Sequence, residues 1–409
     1  MRSWKAVTLT SAAKAYWIVG AMVATIITAR FLGPQGRGVI AAATSWVALF
    51  VTFGHLSLSY VIVYVLGDRD HAEALPAVAG SVLAITAATA LLGWTIAAAM
   101  YAATGGGAFE HIPVAALLVA FAGFPLLLWI ENGNSLLVVM GDLKRLSLAQ
   151  FAGTTAGILL VTLAVGVLRG GVTAALVATF ASYVIVAAIG FARVLREARP
   201  LRFSREIAGA LLHGSARMHL GPISNVLCTH AAVVLLTQFR PVAEAGYYQL
   251  ALQLATAMLV VPMGVGVVAY SIVARDGPDA AWREHRRLFV QMLAYAAVVV
   301  VAAYALAPWI VTLLAGRKFA PAVPVFRILA LSTFGGAVSL VMSPQWVARG
   351  YLLRVSALTL TPAVLSLIGN VLLIPRFGMY AAAWMMTATY AVNLIVSLSF
   401  AWWIERRAP

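Results

Sequence analysis

Long apolar blocks separated by short polar interruptions run along the whole chain. An α-helix needs about 20 predominantly apolar residues to cross the hydrocarbon of a bilayer, and each block reaches roughly that length. The pattern therefore predicts twelve membrane-spanning helices. Their approximate bounds are 12–30, 39–66, 76–101, 112–140, 149–168, 172–192, 218–238, 246–274, 288–315, 323–348, 356–374 and 378–404.

The second half of the sequence repeats the first at an offset of about 208 residues. Residues 141–147 align with 350–356, and Gly38 aligns with Gly246. Because one repeat holds an even number of spans, both halves enter the membrane from the same side, and the pseudo-twofold axis between them runs along the membrane normal. We therefore expect an all-α integral membrane protein with two six-helix lobes, at 1–192 and 218–409.

Composition and charge agree with this class. The 409 residues are 63% hydrophobic and 10% charged, which is too apolar for a soluble domain. The net charge of +15 could suggest nucleic-acid binding. With a cytoplasmic N-terminus, however, twenty of the 28 Lys and Arg residues fall on the cytoplasmic side, as the positive-inside rule requires. The charge thus reflects topology, with both termini cytoplasmic, and we expect no nucleic-acid partner.

The most basic stretch, 193–217, separates the two predicted lobes. Apolar residues alternate with its arginines, which predicts an amphipathic helix in the cytoplasmic lipid interface that tethers the lobes. A single cysteine, Cys228, excludes an intramolecular disulfide and makes a cysteine-based metal site implausible. The chain also lacks a nucleotide-binding loop motif, so it is not expected to be an ATPase, and we expect neither cofactor nor metal.

Polar side chains inside four of the spans recur at helical spacing and so share a face. Their hydroxyl and amide groups both donate and accept hydrogen bonds, which suits a ligand rich in hydroxyls, such as a sugar. They are therefore candidates to line a wet cavity, although small polar residues can also serve only to hold helices together. The candidates are Thr25, Thr28, Ser45, Thr52, Ser59, Ser224, Asn225, Gln249, Gln253 and Thr256.

Glu131 is the one acidic residue well inside a predicted span. A carboxylate in that position can bind a proton or cation that couples to transport. The alternative is a structural hydrogen bond to a neighbouring helix.

Four basic or titratable residues are candidates to bind an anionic headgroup: Lys14, Arg217, Arg30 and His55. Lys14 and Arg217 lie at the predicted cytoplasmic ends of the first span of each lobe, and arginine matches phosphate with its forked geometry. Snorkelling to lipid phosphates would explain Lys14 and Arg217 equally well. Arg30 ends the first span on the outer side, where it is a candidate either for contact with the headgroup or for anchoring. For His55, a structural hydrogen bond is the alternative.

Two segments resemble the Wzx-type polysaccharide flippases. Residues 29–38, Ala-Arg-Phe-Leu-Gly-Pro-Gln-Gly-Arg-Gly, are similar to the A-R-x-L-G-P-x-x-x-G signature after the first helix of that family. Residues 374–383 resemble its I-P-x-x-G-x-x-G-A-A segment, with Ala381 in place of the usual glycine. The two extra C-terminal spans typical of lipid II flippases do not appear, which argues against that subfamily.

The resemblance implies a transporter of the multidrug, oligosaccharide-lipid and polysaccharide exporter superfamily. Its expected role is to flip a polyprenyl-diphosphate-linked oligosaccharide across the bacterial inner membrane by alternating access, for cell-surface polysaccharide synthesis. The expected partners are that lipid-linked substrate and membrane lipids, with the polysaccharide polymerase and chain-length machinery as further candidates. Two alternatives remain open: a cation-coupled multidrug antiporter of the same superfamily, and an integral-membrane glycan transferase or polymerase.

Overall fold

The computed structural model describes residues 2–67 and 71–407, and over these ranges it is helical with no strand. In chain order the helices are α1 Arg2–Gly54, α2 Leu58–Gly67, α3 His71–Ala103, α4 Val114–Ala122, α5 Phe124–Val139, α6 Leu143–Val161, α7 Gly171–Glu197, α8 Arg205–Met218, α9 Leu220–Val226, α10 Ala232–Phe239, α11 Val242–Ala257, α12 Val260–Asp276, α13 Trp282–Ala315, α14 Ala322–Ala348, α15 Leu352–Phe377 and α16 Met379–Arg407. Short π-helical segments follow α6 and α9, at Thr162–Val167 and Leu227–Ala231.

The described helices confirm the predicted number of spans. Ten of them are long and apolar enough to cross a membrane, or eleven if the bent pair Val242–Ala257 and Val260–Asp276 counts as one span. The longest, Ala12–Ile62, contains a break at Gly33, whose φ of 67° and ψ of −175° are not helical. Its two parts correspond to the first two predicted spans, and counting them separately brings the total to twelve.

Several predicted spans are broken in ways that the hydrophobic pattern does not show. The span predicted at 39–66 is divided between α1 and α2. The span predicted at 112–140 is divided between α4 and α5 beside Gly123, where an added Cβ would lie 2.0 Å from the Phe180 ring. The span predicted at 246–274 bends by 42° between α11 and α12. Length and hydropathy report how much chain is apolar but not where its axis turns.

The chain divides into two compact units. Unit 1 is Met1–Leu32 with Val39–Val226, and unit 2 is Gly33–Gly38 with Leu227–Pro409. The division after Val226 lies beyond the lobe boundary that we predicted at 217 and 218, and the Gly33–Gly38 segment belongs to the second unit although it lies in the first repeat.

The core of unit 1 is formed by side chains of α2, α3, α5, α7 and α8, and α8 contacts α2 and α3. The basic segment predicted as a linker packs into this core. Ile207 and Leu211 are 4% and 0% exposed, and the hydroxyl of Ser81 and the backbone N–H of Ser204 form a hydrogen bond of 3.1 Å. The apolar face of α8 is therefore covered by protein, whereas the sequence pattern had placed it in the lipid interface. A hydrophobic stripe on a helix shows that the face must be buried but not by what.

Unit 2 has its own core, in which α14 contacts α11, α12, α13 and α16. Aromatic rings contribute at one end of this core, where Trp346 stacks on Phe400 with ring centroids 3.6 Å apart. Beside them, the Trp282 indole donates to Glu405 and Arg286 pairs with the same carboxylate. These contacts hold α13 against α16 at the ends that the sequence predicts to be cytoplasmic.

Candidate functional site

A break in the helical backbone of unit 1 exposes polar groups inside an otherwise apolar bundle. Between the end of α1 at Gly54 and the start of α2, Leu56 and Ser57 take φ values of 51° and 56°. Residues other than glycine rarely adopt this left-handed backbone conformation. The backbone N–H of Ser57 donates to Nδ1 of His55 at 2.9 Å, which compensates one of the hydrogen bonds that the break removes.

A second break, between α8 and α9, brings His219 to the same place. The Ser57 hydroxyl lies 3.0 Å from Nδ1 of His219, and the His55 and His219 rings meet edge to face with centroids 5.5 Å apart. The Phe53 ring, which is half exposed, lies 6.5 Å from the His219 ring. We call His55, Ser57 and His219 the histidine cluster. It joins two segments that are far apart in sequence at the point where both helices are interrupted.

The histidine cluster retains unused hydrogen-bonding capacity. Nε2 of His219 is buried and has no hydrogen-bond partner among the described residues. Because Nδ1 of His55 accepts a hydrogen bond, the proton of the neutral ring is on Nε2. Imidazole and hydroxyl groups of this kind can both donate to and accept from sugar hydroxyls, and imidazole N–H groups can donate to phosphate oxygens. Among the described residues, no three His, Cys, Asp or Glu side chains group closely enough to hold a metal.

Of the four predicted headgroup residues, only His55 lies in the histidine cluster. Lys14 and Arg30 are exposed on α1. Arg217 falls near the end of α8, and its side chain lies outside the described part of the chain.

The predicted cavity-lining residues divide into two groups by exposure. Thr25, Thr28, Ser45 and Ser224 are at most 5% exposed, so their side chains face protein rather than lipid. Thr52, Ser59, Gln249, Gln253 and Thr256 are half-buried, and Asn225 is exposed.

Several of these hydroxyl groups are already engaged within their own helix. Thr28 donates to the carbonyl of Ala24, Ser224 to that of Leu220 and Thr256 to that of Leu252, at 2.8 to 2.9 Å. Such hydroxyls can still accept a hydrogen bond but have no proton left to donate. By contrast, Oε1 of Gln249 is buried without a hydrogen bond to a described residue.

Glu131 lies on α5 with its side chain exposed, and its carboxylate has no hydrogen-bond or ion-pair partner within the described ranges. Its neighbours are engaged in structural contacts: Asn132 is fully buried and donates to the Thr86 hydroxyl at 3.0 Å. A Cβ added to Gly54, which precedes His55 in sequence, would lie 3.0 Å from a methyl group of Leu128, one turn before Glu131. Glu131 therefore occupies an unpartnered position on a helix that packs beside the histidine cluster.

Ser57 was absent from the sequence prediction, which selected Ser59 instead. The predicted stripe through Ser45, Thr52 and Ser59 assumes one continuous helix, and the break at residues 55–57 shifts the helical phase after it. The sequence does carry a weak signal here, since three polar residues, His55, Ser57 and Ser59, alternate with leucine.

A family described as "Polysaccharide biosynthesis protein" matches residues 27–324. A search of curated proteins gives no match.

Solved structures of several membrane transporters share the fold. An inward-facing multidrug resistance MATE transporter of the MOP superfamily is 18% identical, with 97% of this chain and 93% of that chain covered and a TM-score of 0.67. The lipid II flippase MurJ in an inward closed conformation is 10% identical, with 96% and 87% covered and a TM-score of 0.74. A MOP superfamily transporter from Pyrococcus furiosus is 15% identical, with 99% and 95% covered and a TM-score of 0.63. At these identities the likeness shows a shared fold, and these neighbours are transporters and a flippase, not enzymes.

Proposed function

Because the chain belongs to the polysaccharide biosynthesis protein family, we propose that it is a flippase for a polyprenyl-diphosphate-linked oligosaccharide. The observation that carries this proposal is the family match across residues 27–324 in a chain with the fold of the MOP transporters. Transport runs from the cytoplasmic to the outer leaflet of the bacterial inner membrane, with both termini in the cytoplasm. The fold is shared with a protein named as a lipid II flippase, which supports a lipid-linked substrate.

The physical problem that such a protein solves is one of charge. Moving an isolated charged group from water into hydrocarbon costs tens of kcal/mol by Born solvation, and unpaired hydroxyls add about 2–7 kcal/mol each. A polar path through the protein removes most of this barrier while the isoprenoid tail stays in lipid. In our proposal the histidine cluster, with the half-buried Thr52 and Ser59 nearby in sequence, forms part of that path on the cytoplasmic side.

The residues predicted to bind the headgroup keep that role in this proposal. Lys14, Arg217 and Arg30 attract the diphosphate at the two ends of the first spans, and His55 contacts it or the first sugars. Four of the predicted cavity-lining residues are buried against protein, and in this proposal their main role is to pack helices together: Thr25, Thr28, Ser45 and Ser224. Gln249, Gln253, Thr256 and Asn225 remain the candidates for sugar contacts.

One observation favours a second candidate function. Glu131 is an exposed, unpartnered carboxylate within a membrane span of the described chain, which suits an antiporter that exchanges a cation for a drug. Multidrug MATE transporters share the fold. The flippase is preferred because the family is one of polysaccharide biosynthesis and because no second acidic residue accompanies Glu131 in the apolar part of α5.

A reconstituted flipping assay tests the function. The purified protein is placed in vesicles that contain a polyprenyl-diphosphate oligosaccharide with a fluorescent label on its glycan, and a membrane-impermeant reductant is added outside. We expect the inner-leaflet pool to become accessible faster than in protein-free vesicles. The matched control is the same labelled glycan on a neutral lipid, which lacks the diphosphate and should move more slowly.

If the labelled glycolipid is protected equally with and without protein, the flippase proposal is wrong. Accumulation of a lipophilic cation in the same vesicles under a sodium or proton gradient, without glycolipid movement, would instead establish the antiporter.

A further inference from the structure

Unit 2 contains a cleft of about 610 Å³ at a junction of three helices. α10 ends beside it at Phe239, α15 ends at Phe377 and α16 begins at Met379. According to the predicted topology, this junction is on the outer side of the membrane. The cleft is lined by two arginines and by mainly apolar or aromatic side chains: Arg240, Arg376, Leu373, Phe377, Tyr380, Ala381 and Trp384.

Arg240 is held in a fixed position at the cleft. Its Nε donates to Oε1 of Glu244 at 3.0 Å, and a terminal guanidinium nitrogen lies 3.0 Å from the same oxygen. The other carboxylate oxygen of Glu244 accepts the backbone N–H of Met379 at 3.0 Å, which satisfies the first backbone N–H of α16. Glu244 thus positions Arg240 relative to α16.

Gly378 makes this arrangement possible. Its φ of 56° and ψ of −137° are readily accessible only to glycine. An added Cβ would lie 2.1 Å from Oε2 of Glu244 and 3.0 Å from Nε of Arg240. The glycine of the second motif that resembles the flippase family therefore creates the space in which Glu244 and Arg240 meet.

Arg376 supplies the available charge. Its side chain is exposed, and no described residue forms an ion pair or hydrogen bond with it. Arg240 and Glu244 neutralise one another, so the three side chains together carry a net charge of +1. A site of this charge is complementary to a ligand with a single negative charge.

The surroundings of the cleft are those of a membrane interface. Phe377 and Trp384 are 59% and 54% exposed, and rings of this kind with Tyr380 are typical of the level of the lipid headgroups. Below them, the exposed residues Leu365, Ile368 and Leu372 follow one another at helical spacing along α15. They form an apolar track that leads from the cleft toward the membrane interior.

We propose that this cleft binds an anionic phospholipid of the outer leaflet, with its phosphodiester between Arg376 and Arg240 and an acyl chain along the apolar track. A phosphodiester carries one negative charge, which matches the net charge of the site, whereas the diphosphate of a carrier lipid carries two or more. Arginine forks bind phosphate oxygens in pairs, and the aromatic rings enclose the headgroup at the interface.

The repeat provides a matched control. The alignment of Ala174-Ala175 with Ala381-Ala382 places Arg169 opposite Arg376. Leu32 and Gly36 stand at the positions that correspond to Arg240 and Glu244 in the second half. Arg169 is exposed like Arg376, but the first repeat has no arginine and carboxylate pair beside it. Arg169 should therefore not retain a lipid in this way.

The experiment is native mass spectrometry of the full-length protein titrated with phosphatidylglycerol or phosphatidylcholine. Loss of one charge-assisted contact should weaken retention of phosphatidylglycerol by about tenfold in Arg376→Gln. Arg376→Lys keeps the charge without the fork and should lie between that variant and the original protein. Arg169→Gln should behave as the original protein does. Because Arg376 is exposed and unpartnered, its replacement should leave the thermal unfolding temperature unchanged.

Equal retention of phosphatidylglycerol by the original protein and Arg376→Gln would overturn the proposal. So would tighter binding of a polyprenyl diphosphate that competes with phosphatidylglycerol and is lost in Arg376→Gln, since that result would assign the cleft to the carrier lipid. Weaker retention of phosphatidylglycerol by Arg376→Gln and Arg240→Gln, with retention by Arg169→Gln unchanged, would support the proposal. None of these outcomes depends on whether the protein flips glycolipids.

Discussion

At the scale of single residues, the histidine cluster shows how a strained backbone and a polar contact depend on each other. Leu56 and Ser57 both have positive φ, a conformation that costs of order 1–3 kcal/mol for residues other than glycine. In this conformation Ser57 forms hydrogen bonds with both His55 and His219. The cluster is thus part of the fold of unit 1 as well as a candidate for substrate contact.

Ser57→Ala tests the structural part of this role. The change leaves Nδ1 of His219 without its hydroxyl partner next to an Nε2 that is already unsatisfied, and a lost buried hydrogen bond costs about 1–3 kcal/mol. We therefore expect a lower thermal unfolding temperature in detergent. Ser59→Ala is the control, because Ser59 is half-buried and makes no hydrogen bond to a described residue. Equal melting of the two variants would show that the contact contributes nothing to stability.

At the scale of helices, two glycines allow a close backbone crossing within unit 2. A Cβ on Gly38 would lie 2.0 Å from the carbonyl oxygen of Val242, and a Cβ on Gly246 would lie 2.1 Å from that of Pro34. The contacts are reciprocal: the repeat aligns Gly38 with Gly246 and Pro34 with Val242. Small residues at both positions let the helices approach until their backbones touch, as is common in membrane bundles.

Gly246→Ala should therefore destabilise the protein, because the obstructing atom belongs to the backbone and cannot turn away. Overpacking of this kind typically costs about 1–3 kcal/mol. Gly264→Ala is a matched control in α12 of the same unit, since nothing lies within 4 Å of its added Cβ. That change should be neutral or stabilise by roughly 0.5–1 kcal/mol through helix propensity. Thermal unfolding in detergent would compare them, and a Gly246→Ala protein as stable as Gly264→Ala would contradict the crossing.

At the scale of the whole molecule, the proposed reaction moves charge across the membrane. The free energy of a headgroup of charge about −2 falls when it leaves a negative interior. The decrease is about 2.3 kcal/mol per charge, or roughly 4.6 kcal/mol for the headgroup, per 100 mV of membrane potential. Outward flipping can therefore draw on the membrane potential directly. A cation bound at Glu131 is the alternative source of energy, since this carboxylate is exposed and has no partner in the described structure.

Glu131→Gln separates the two sources of energy. The vesicles carry an imposed potassium diffusion potential and no sodium or proton gradient. Under these conditions we expect the original protein to flip labelled glycolipid faster when the compartment that the glycolipid leaves is made more negative. If the potential alone drives transport, Glu131→Gln keeps that dependence. If a cation bound at Glu131 couples to transport, the variant loses the acceleration that a sodium or proton gradient produces. Equal acceleration of the original protein and of Glu131→Gln by a sodium or proton gradient would rule out the coupling role.

Class, approximate span number and family could be predicted from the sequence. Three sequence features can be recognised without knowledge of the fold because they are properties of contiguous residues: apolar length, the distribution of Lys and Arg, and motifs such as residues 29–38. The family match over residues 27–324 and the ten or eleven apolar spans, the first of them broken at Gly33, confirm the class, the approximate span number and the family.

The details of the candidate sites could not be predicted in the same way. Ser57 rather than Ser59 meets His219 because the helix breaks before it, and Ile207 and Leu211 face protein because α8 folds back on unit 1. Arg240, Glu244 and Gly378 form one contact although more than a hundred residues separate the first two from the third. Periodicity assigns residues to a face of a continuous helix, but it carries no information on where that helix is interrupted or which distant segment packs against it. Those outcomes depend on the packing of many side chains at once.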